Sequence, residues 1–182
     1  MEARRDSGEG FDGLAGPNPA DFGIIGKSSA LMEAWRFVVC ASRGSMSVHI
    51  EGETGTGKEL FASALHHLSK RAAGPLVVVN CATLNSELAM SELFGHRKGA
   101  FTGAAFDRCG AFEEADGGSM FLDEVSEFRP ETQSKLLRVL ESRTIRRVGE
   151  SVERKVDVRV ISASNTPLRR LVQEGKFRED LF

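Results

Sequence analysis

From Ser28 to Arg43, Leu31, Met32, Trp35, Val38 and Val39 recur on one helical face behind a candidate N-cap at Ser28 or Ser29. A second helical pattern runs from Lys58 to Ser69, with Leu60, Phe61, Ala64 and Leu68 read as its inward face. A third spans Pro130–Glu141, with the proline tolerated in the first turn, and a fourth starts within Pro167–Glu174. Between them lie short apolar runs of strand length. Ser47–Glu51, Leu76–Val79, Ser119–Leu122, Ile145–Val148 and Val156–Ser162 are predicted as strands. Strands alternating with helices predict an α/β fold, a parallel sheet with helices on both faces. Met1–Asp21 is rich in glycine and charge without an apolar period, so it reads as a flexible leader or linker, with structure beginning near Phe22. No internal repeat is evident.

Composition narrows the classes. The chain has 182 residues, 41% hydrophobic and 27% charged, enough for one domain with a real core. A net charge of −2 argues against a domain-wide basic footprint for nucleic acid. No apolar run has the ~18 residues a membrane-spanning helix needs, and the polar start is no secretory signal. The three cysteines, Cys40, Cys81 and Cys109, form no CxxC pair, so neither a zinc site nor a disulfide framework is indicated. A reducing, cytoplasmic setting is the expectation.

The chemistry concentrates in Gly52-Glu53-Thr54-Gly55-Thr56-Gly57-Lys58, which follows a predicted strand and opens a predicted helix. That context distinguishes a phosphate-binding P-loop from a plain glycine-rich turn. Glycines let backbone N–H groups turn toward phosphates, the helix N-terminus favours an anion, and Lys58 would neutralise the β- and γ-phosphates. Glu59 stands where most P-loops carry a Ser or Thr that ligates magnesium.

Downstream, Met120-Phe121-Leu122-Asp123-Glu124 is an apolar strand ending in two carboxylates. Beside a P-loop, the first acid supports Mg²⁺, directly or through water, and the second polarises the attacking water. Asp123 and Glu124 are assigned to those roles. Asn165 and Asn80 follow or end predicted strands, at the sheet edge where open α/β folds bind ligands. Each is either an ordinary turn residue or cap, or an amide serving the γ-phosphate or its water.

These residues resemble the sigma-54 activator branch of the AAA+ ATPases. Glu53–Glu59, continuing into Leu60, looks like that family's P-loop, in which Glu after the lysine is usual. Val79-Asn80-Cys81-Ala82 is similar to its second-strand segment, whose asparagine holds the catalytic glutamate. Ser91-Glu92-Leu93-Phe94-Gly95-His96 precedes Gly99-Ala100-Phe101-Thr102-Gly103-Ala104, which matches the GAFTGA loop that contacts sigma-54. Arg147-Val148-Gly149 and Asp157–Asn165 also match, with Ser162 and Ser164 as departures from the usual residues. Phe177-Arg178-Glu179-Asp180-Leu181 resembles the start of the arginine-finger segment. The resemblance covers Phe22 to Phe182. Chemistry fits the loop reading: Gly99 and Gly103 give a mobile backbone, and Phe101 and Thr102 are expected at a small exposed tip.

The resemblance implies ATP and Mg²⁺ as ligands, hydrolysis coupled to remodelling of sigma-54 RNA polymerase, a ring of subunits, hexameric in the intact protein, and Arg178 reaching a neighbour's γ-phosphate. It also implies that this chain is incomplete at its C-terminus. The family's second finger arginine, a further strand and the helical lid are missing from the sequence, as is any helix-turn-helix DNA-binding domain, and the chain alone is expected to hydrolyse ATP poorly. Two other readings stand beside this one: a non-catalytic nucleotide-binding or interaction fragment, and a small-molecule kinase, which the GAFTGA match and Glu59 oppose.

Overall fold

The computed structural model describes residues 16–84 and 86–182. The first fifteen residues of the expected leader lie outside them. Its last residues are drawn into the fold. Asn18 caps a 3-10 turn, Pro19–Phe22, by accepting the Ala20 N–H at 3.0 Å. Trp35 Nε1 donates to the Pro17 carbonyl at 2.8 Å, and the Phe22 and Trp35 rings lie 5.5 Å apart.

Helix α1 (Ser29–Ser42) is capped by Ser28, whose hydroxyl accepts from Leu31 N–H, which decides between the two candidate caps. Strand β1 (Val48–Glu51) leads through the glycine loop into α2 (Lys58–His67), and β2 (Leu76–Asn80) follows. Next come α3 (Ser86–Phe94), the single turn α4 (Ala111–Glu114) and β3 (Ser119–Asp123). Helix α5 (Pro130–Ser142), the short strands β4 (Thr144–Ile145) and β5 (Arg154–Lys155), β6 (Arg159–Ser164) and α6 (Leu168–Gln173) complete the order.

Four strands form one parallel sheet in the order β1-β6-β3-β2, with β1 and β2 at its edges among the described residues. The apolar runs divide between its faces by the two-residue period of a strand. Phe121, Ile161 and Ala163 pack with Trp35, Val38, Ala62 and Leu65 beneath α1 and α2. Met120, Leu122, Val158 and Val160 join Leu93, Phe94, Phe112, Leu136, Val139 and Leu168 on the other face. Burying each large side chain contributes about 1.5–3 kcal/mol, so both layers are needed to hold the sheet. Arg159 is the largest fully buried side chain. Its guanidinium donates to the carbonyls of Ala41 (2.8 Å) and Met46 (3.2 Å), clamping the C-terminal end of α1, where a cation is favoured, to β6.

Several expected elements shift. Leu60 is 40% exposed, and α2 instead buries Ala62, Ala64, Leu65 and His66. The strand expected over Ile145–Val148 shrinks to Thr144–Ile145, paired antiparallel with Arg154–Lys155. The cause is local: Arg143 turns with φ 55°, and Val148 leaves the hairpin to bridge His96. The strand expected over Val156–Ser162 starts three residues later and ends two later, as Arg159–Ser164. Asp157 N–H is taken by the Asp116 carboxylate at 2.7 Å, so sheet pairing starts at Arg159. Helix α3 and the α4 turn were not predicted.

Candidate functional site: a phosphate loop facing two carboxylates

The C-terminal ends of β1, β2, β3 and β6 share one sheet edge, which brings Gly52–Lys58, Asn80, Asp123–Glu124 and Asn165 together. The loop is built by its own backbone. Glu53 O accepts from Thr56 N (3.3 Å), Thr56 Oγ1 (2.8 Å) and Lys58 Nζ (3.4 Å), and Gly52 N–H donates to Ser164 O on β6 (3.2 Å). Gly55 and Gly57 have φ of 85° and 83°, the left-handed region glycine occupies without Cβ strain. Thr54 and Glu59 are exposed, with Glu59 in the first turn of α2.

Lys58 is buried to 9% exposure, and its ammonium folds back over the loop. It donates to Gly52 O at 2.9 Å and lies 3.4 Å from Glu124 Oε1. Glu124 takes a left-handed backbone (φ 54°, ψ 50°), a conformation that costs a non-glycine residue and persists where surrounding contacts impose it. That turn lifts its carboxylate off the end of β3. The other oxygen, Oε2, accepts the Asn165 backbone N–H at 2.9 Å. One carboxylate thus joins the phosphate loop to the end of β6.

Asp123 Oδ1 is buried without a hydrogen-bond partner. An orphaned carboxylate oxygen beside a phosphate loop fits a magnesium site of the usual kind, one carboxylate plus phosphate oxygens and water. Among the described residues there is no cluster of three or more side chains able to hold a metal without such help. Behind Asp123, burial and the carboxylate itself push the Cys81 thiol up, so it stays neutral and adds no charge.

The remaining predicted residues are placed differently. Asn80 is in register with Asp123, but its side-chain oxygen accepts Ala82 N–H at 3.0 Å, and the contacts holding Glu124 come from Lys58 and Asn165. The Asn165 side chain accepts from Thr166 Oγ1, so its backbone rather than its amide meets Glu124. Arg178 pairs with Asp180 of its own segment, at 2.9 and 2.6 Å.

The segment Gly99–Ala104 also departs from expectation. Thr102 is exposed, but Phe101 is half-buried, its ring edge-on to His96 with centroids 5.0 Å apart. His96 is itself buried and bonded through Nδ1 to Ser91 Oγ at 2.6 Å. Ala100 sits against Gly149 so closely that a Cβ on Gly149 would meet Ala100 Cβ at 2.7 Å. The tip lies over a groove of about 860 Å³ between α3, α5 and Arg146–Glu150. Lys135 lines this groove, 4.3 Å over the Phe94 ring, and burial lowers its pKa to about 8. An exposed apolar ring shortly after the loop is Phe106, at 68%.

Sequence reasoning missed Gln133. It is fully buried on α5, and its amide donates to Phe128 O (2.7 Å) and Lys176 O (3.0 Å) while accepting Arg178 N–H (2.9 Å). One side chain therefore ties the segment after Glu124 to the segment carrying Arg178. A glutamine on the inner face of an amphipathic helix was the available signal.

Residues 24–182 match the Sigma-54 interaction domain family. The chain is 52% identical over 159 residues to the DNA-binding transcriptional regulator NtrC of Salmonella typhimurium, covering 87% of this chain and 34% of that protein. It is 49% identical over 160 residues to the regulatory protein LuxO of Vibrio parahaemolyticus, covering 88% and 35%. The crystal structure of NtrX from Brucella abortus in complex with ATP superposes with a TM-score of 0.79 at 42% identity, over 87% of this chain and 34% of that one. The chain thus spans about a third of the length of these relatives. It belongs to the sigma-54 interaction domain family, the AAA+ ATPase domain of bacterial transcription activators.

Proposed function

We propose that this domain binds ATP with Mg²⁺ at the Gly52–Lys58 loop and hydrolyses it to drive a conformational change in sigma-54 RNA polymerase. The observation that carries the reading is the Glu124 carboxylate held between Lys58 Nζ at 3.4 Å and Asn165 N–H at 2.9 Å. Lys58 would exchange Glu124 for the β- and γ-phosphates, since a phosphate offers the ammonium more charge. Glu124, released from the lysine, would then orient and deprotonate water. Asn80 pairs in register with Asp123, the residue before Glu124, and would receive the freed carboxylate. Magnesium would bind Asp123 Oδ1 and neutralise charge on the phosphates. Arg178 would leave Asp180 to serve a neighbouring subunit's site, which makes a ring of subunits, a hexamer in the intact protein, part of the proposal. The loop Gly99–Ala104 would carry the contact to sigma-54, with Phe101 released from His96. A polymerase partner implies a cytoplasmic location.

Glu124→Gln tests the chemistry, because the amide keeps the shape but is a poor base. ATP affinity by calorimetry should stay within about threefold, while phosphate release falls by roughly 10²–10⁴. Turnover near that of the unaltered protein would remove Glu124 from the reaction. ATP binding without hydrolysis at any protein concentration, in the unaltered chain, would favour a nucleotide-binding unit without catalysis.

A further inference from the structure

His49 lies in the middle of β1, directly opposite Ser162 of β6 in the parallel register. Ser164, two residues on, shares that face. The imidazole spans both hydroxyls: Nδ1 is 2.9 Å from Ser162 Oγ, and Nε2 is 3.1 Å from Ser164 Oγ. The Ser164 hydroxyl has one proton, and it goes to Thr166 O at 2.7 Å. Nε2 must therefore be the donor to Ser164, which makes His49 the Nε2–H tautomer, with Nδ1 accepting from Ser162. Burial lowers the His49 pKa, against the opposing pull of Glu51, in keeping with a neutral ring.

The Ser164-to-Thr166 bond closes the turn that presents Asn165. Ser164 O is also the acceptor for the first loop amide, Gly52 N–H. Inside the turn, Asn165 N–H points to Glu124 Oε2, and Glu124 Oε1 faces Lys58. A continuous polar path thus runs from His49 through Ser164 and the Asn165 turn to Glu124. His49 satisfies both serine hydroxyls.

We propose that His49 is a positioning residue for ATP hydrolysis: with Ser162 and Ser164 it sets the turn whose Asn165 N–H aims the Glu124 carboxylate. This rests on the assignment of Glu124 as the catalytic base. His49 does not touch the phosphate loop, so it acts on the carboxylate's aim rather than on nucleotide affinity.

The test compares the unaltered chain with His49→Leu, Ser164→Ala and His49→Gln, the last retaining an N–H donor for Ser164. Hydrogen exchange of the Asn165 amide, read by NMR, needs no turnover. It should speed up by roughly tenfold or more in His49→Leu and Ser164→Ala and return toward the original rate in His49→Gln. In steady-state hydrolysis, kcat should fall by about 10- to 100-fold in His49→Leu, as misplacement of a reacting group does, with KM for ATP changed less than about threefold and partial recovery in His49→Gln. Unchanged Asn165 exchange in His49→Leu would overturn the proposal. So would exchange that rises equally across all sheet amides, which would make His49 a packing residue only. If Glu124→Gln hydrolyses ATP as fast as the unaltered chain, the catalytic reading of Glu124 fails, and the Asn165 exchange result alone decides whether His49 sets the turn.

Discussion

The sheet edge that carries Lys58, Glu124 and Asn165 and the loop that carries Phe101 are held by different kinds of contact. At the sheet edge, a charged group that follows β1 and a backbone group that follows β6 converge on the one carboxylate that follows β3, and neighbouring strands fix where each begins. The loop closes on itself through backbone bonds such as Gly99 N–H to Ala104 O at 2.9 Å, and it meets the rest of the domain through an aromatic edge on His96 and one close approach of Ala100 to Gly149. Its hinges, Gly99 and Gly103, have φ of 81° and 101°, and a Cβ added at either would meet nothing within 4 Å. The difference teaches where rigidity is placed. The chemical end is over-determined, whereas the loop rests on weak apolar contacts worth about 1 kcal/mol each, which a ligand-driven shift of neighbouring elements can break.

The largest effect should come from removing the link at Gln133. Gln133→Leu leaves the Phe128 and Lys176 carbonyls and the Arg178 N–H without their partner. Stability should fall by about 2–5 kcal/mol, at ~1–3 kcal/mol for the buried Phe128 carbonyl and less for each of the two part-buried groups, which water can reach. Urea denaturation measures it. A loss under about 1 kcal/mol would show that water replaces the amide and that the rigid end is less closely determined than the contacts indicate.

Gly149→Ala should act on the loop alone. Its φ of 78° and the 2.7 Å approach to Ala100 penalise a methyl group, by about 1 kcal/mol or more. The cheapest relief is to lift Ala100, so cleavage within Gly99–Ala104 by a protease should quicken severalfold, with ATP affinity unchanged. A matching loss of ATP affinity would mean that the two regions are one rigid unit.

The smallest effect concerns acid. His49 and His66 both have pKa values lowered from 6.5, chiefly by burial, His66 also by His67 and Arg159. Each is neutral in the fold, and the unfolded chain binds protons more readily. The stability they contribute is complete above about pH 6.5 and is lost as pH falls through that value toward the lowered folded ones. The urea midpoint should therefore drop between pH 7 and pH 5, less so in His49→Leu measured against its own value at pH 7. A midpoint that rises toward pH 5 would contradict the neutral assignments.

The phosphate loop was legible because its determinants are contiguous: glycines, a lysine and a following helix within a few residues. Asp123 and Glu124 were legible because a P-loop lies upstream of them; without it, two acids at a strand end read as an ordinary cap. The links between them were not, since Lys58 and Asn165 are far from Glu124 in sequence and meet only through the strand order β1-β6-β3. Phe101 was misplaced for a related reason. Glycine spacing reports that the loop can move, whereas its resting place depends on His96 and Gly149, which no local pattern joins to it. Arg178 carries a local signal of charge, but Asp180, two residues on, already pairs with it. Gln133 and His49 take their parts only in the fold, which buries one and sets the other against two serines.

The central claim is that Lys58 leaves Glu124 for the phosphates of ATP. Calorimetric titration of the unaltered chain and of Lys58→Ala with ATP and magnesium tests it most directly. The account predicts measurable binding in the first and a loss of about 100-fold or more in the second, since the variant forfeits charge-assisted bonds of roughly 1.5–3 kcal/mol each. Equal affinity in the two proteins would contradict it.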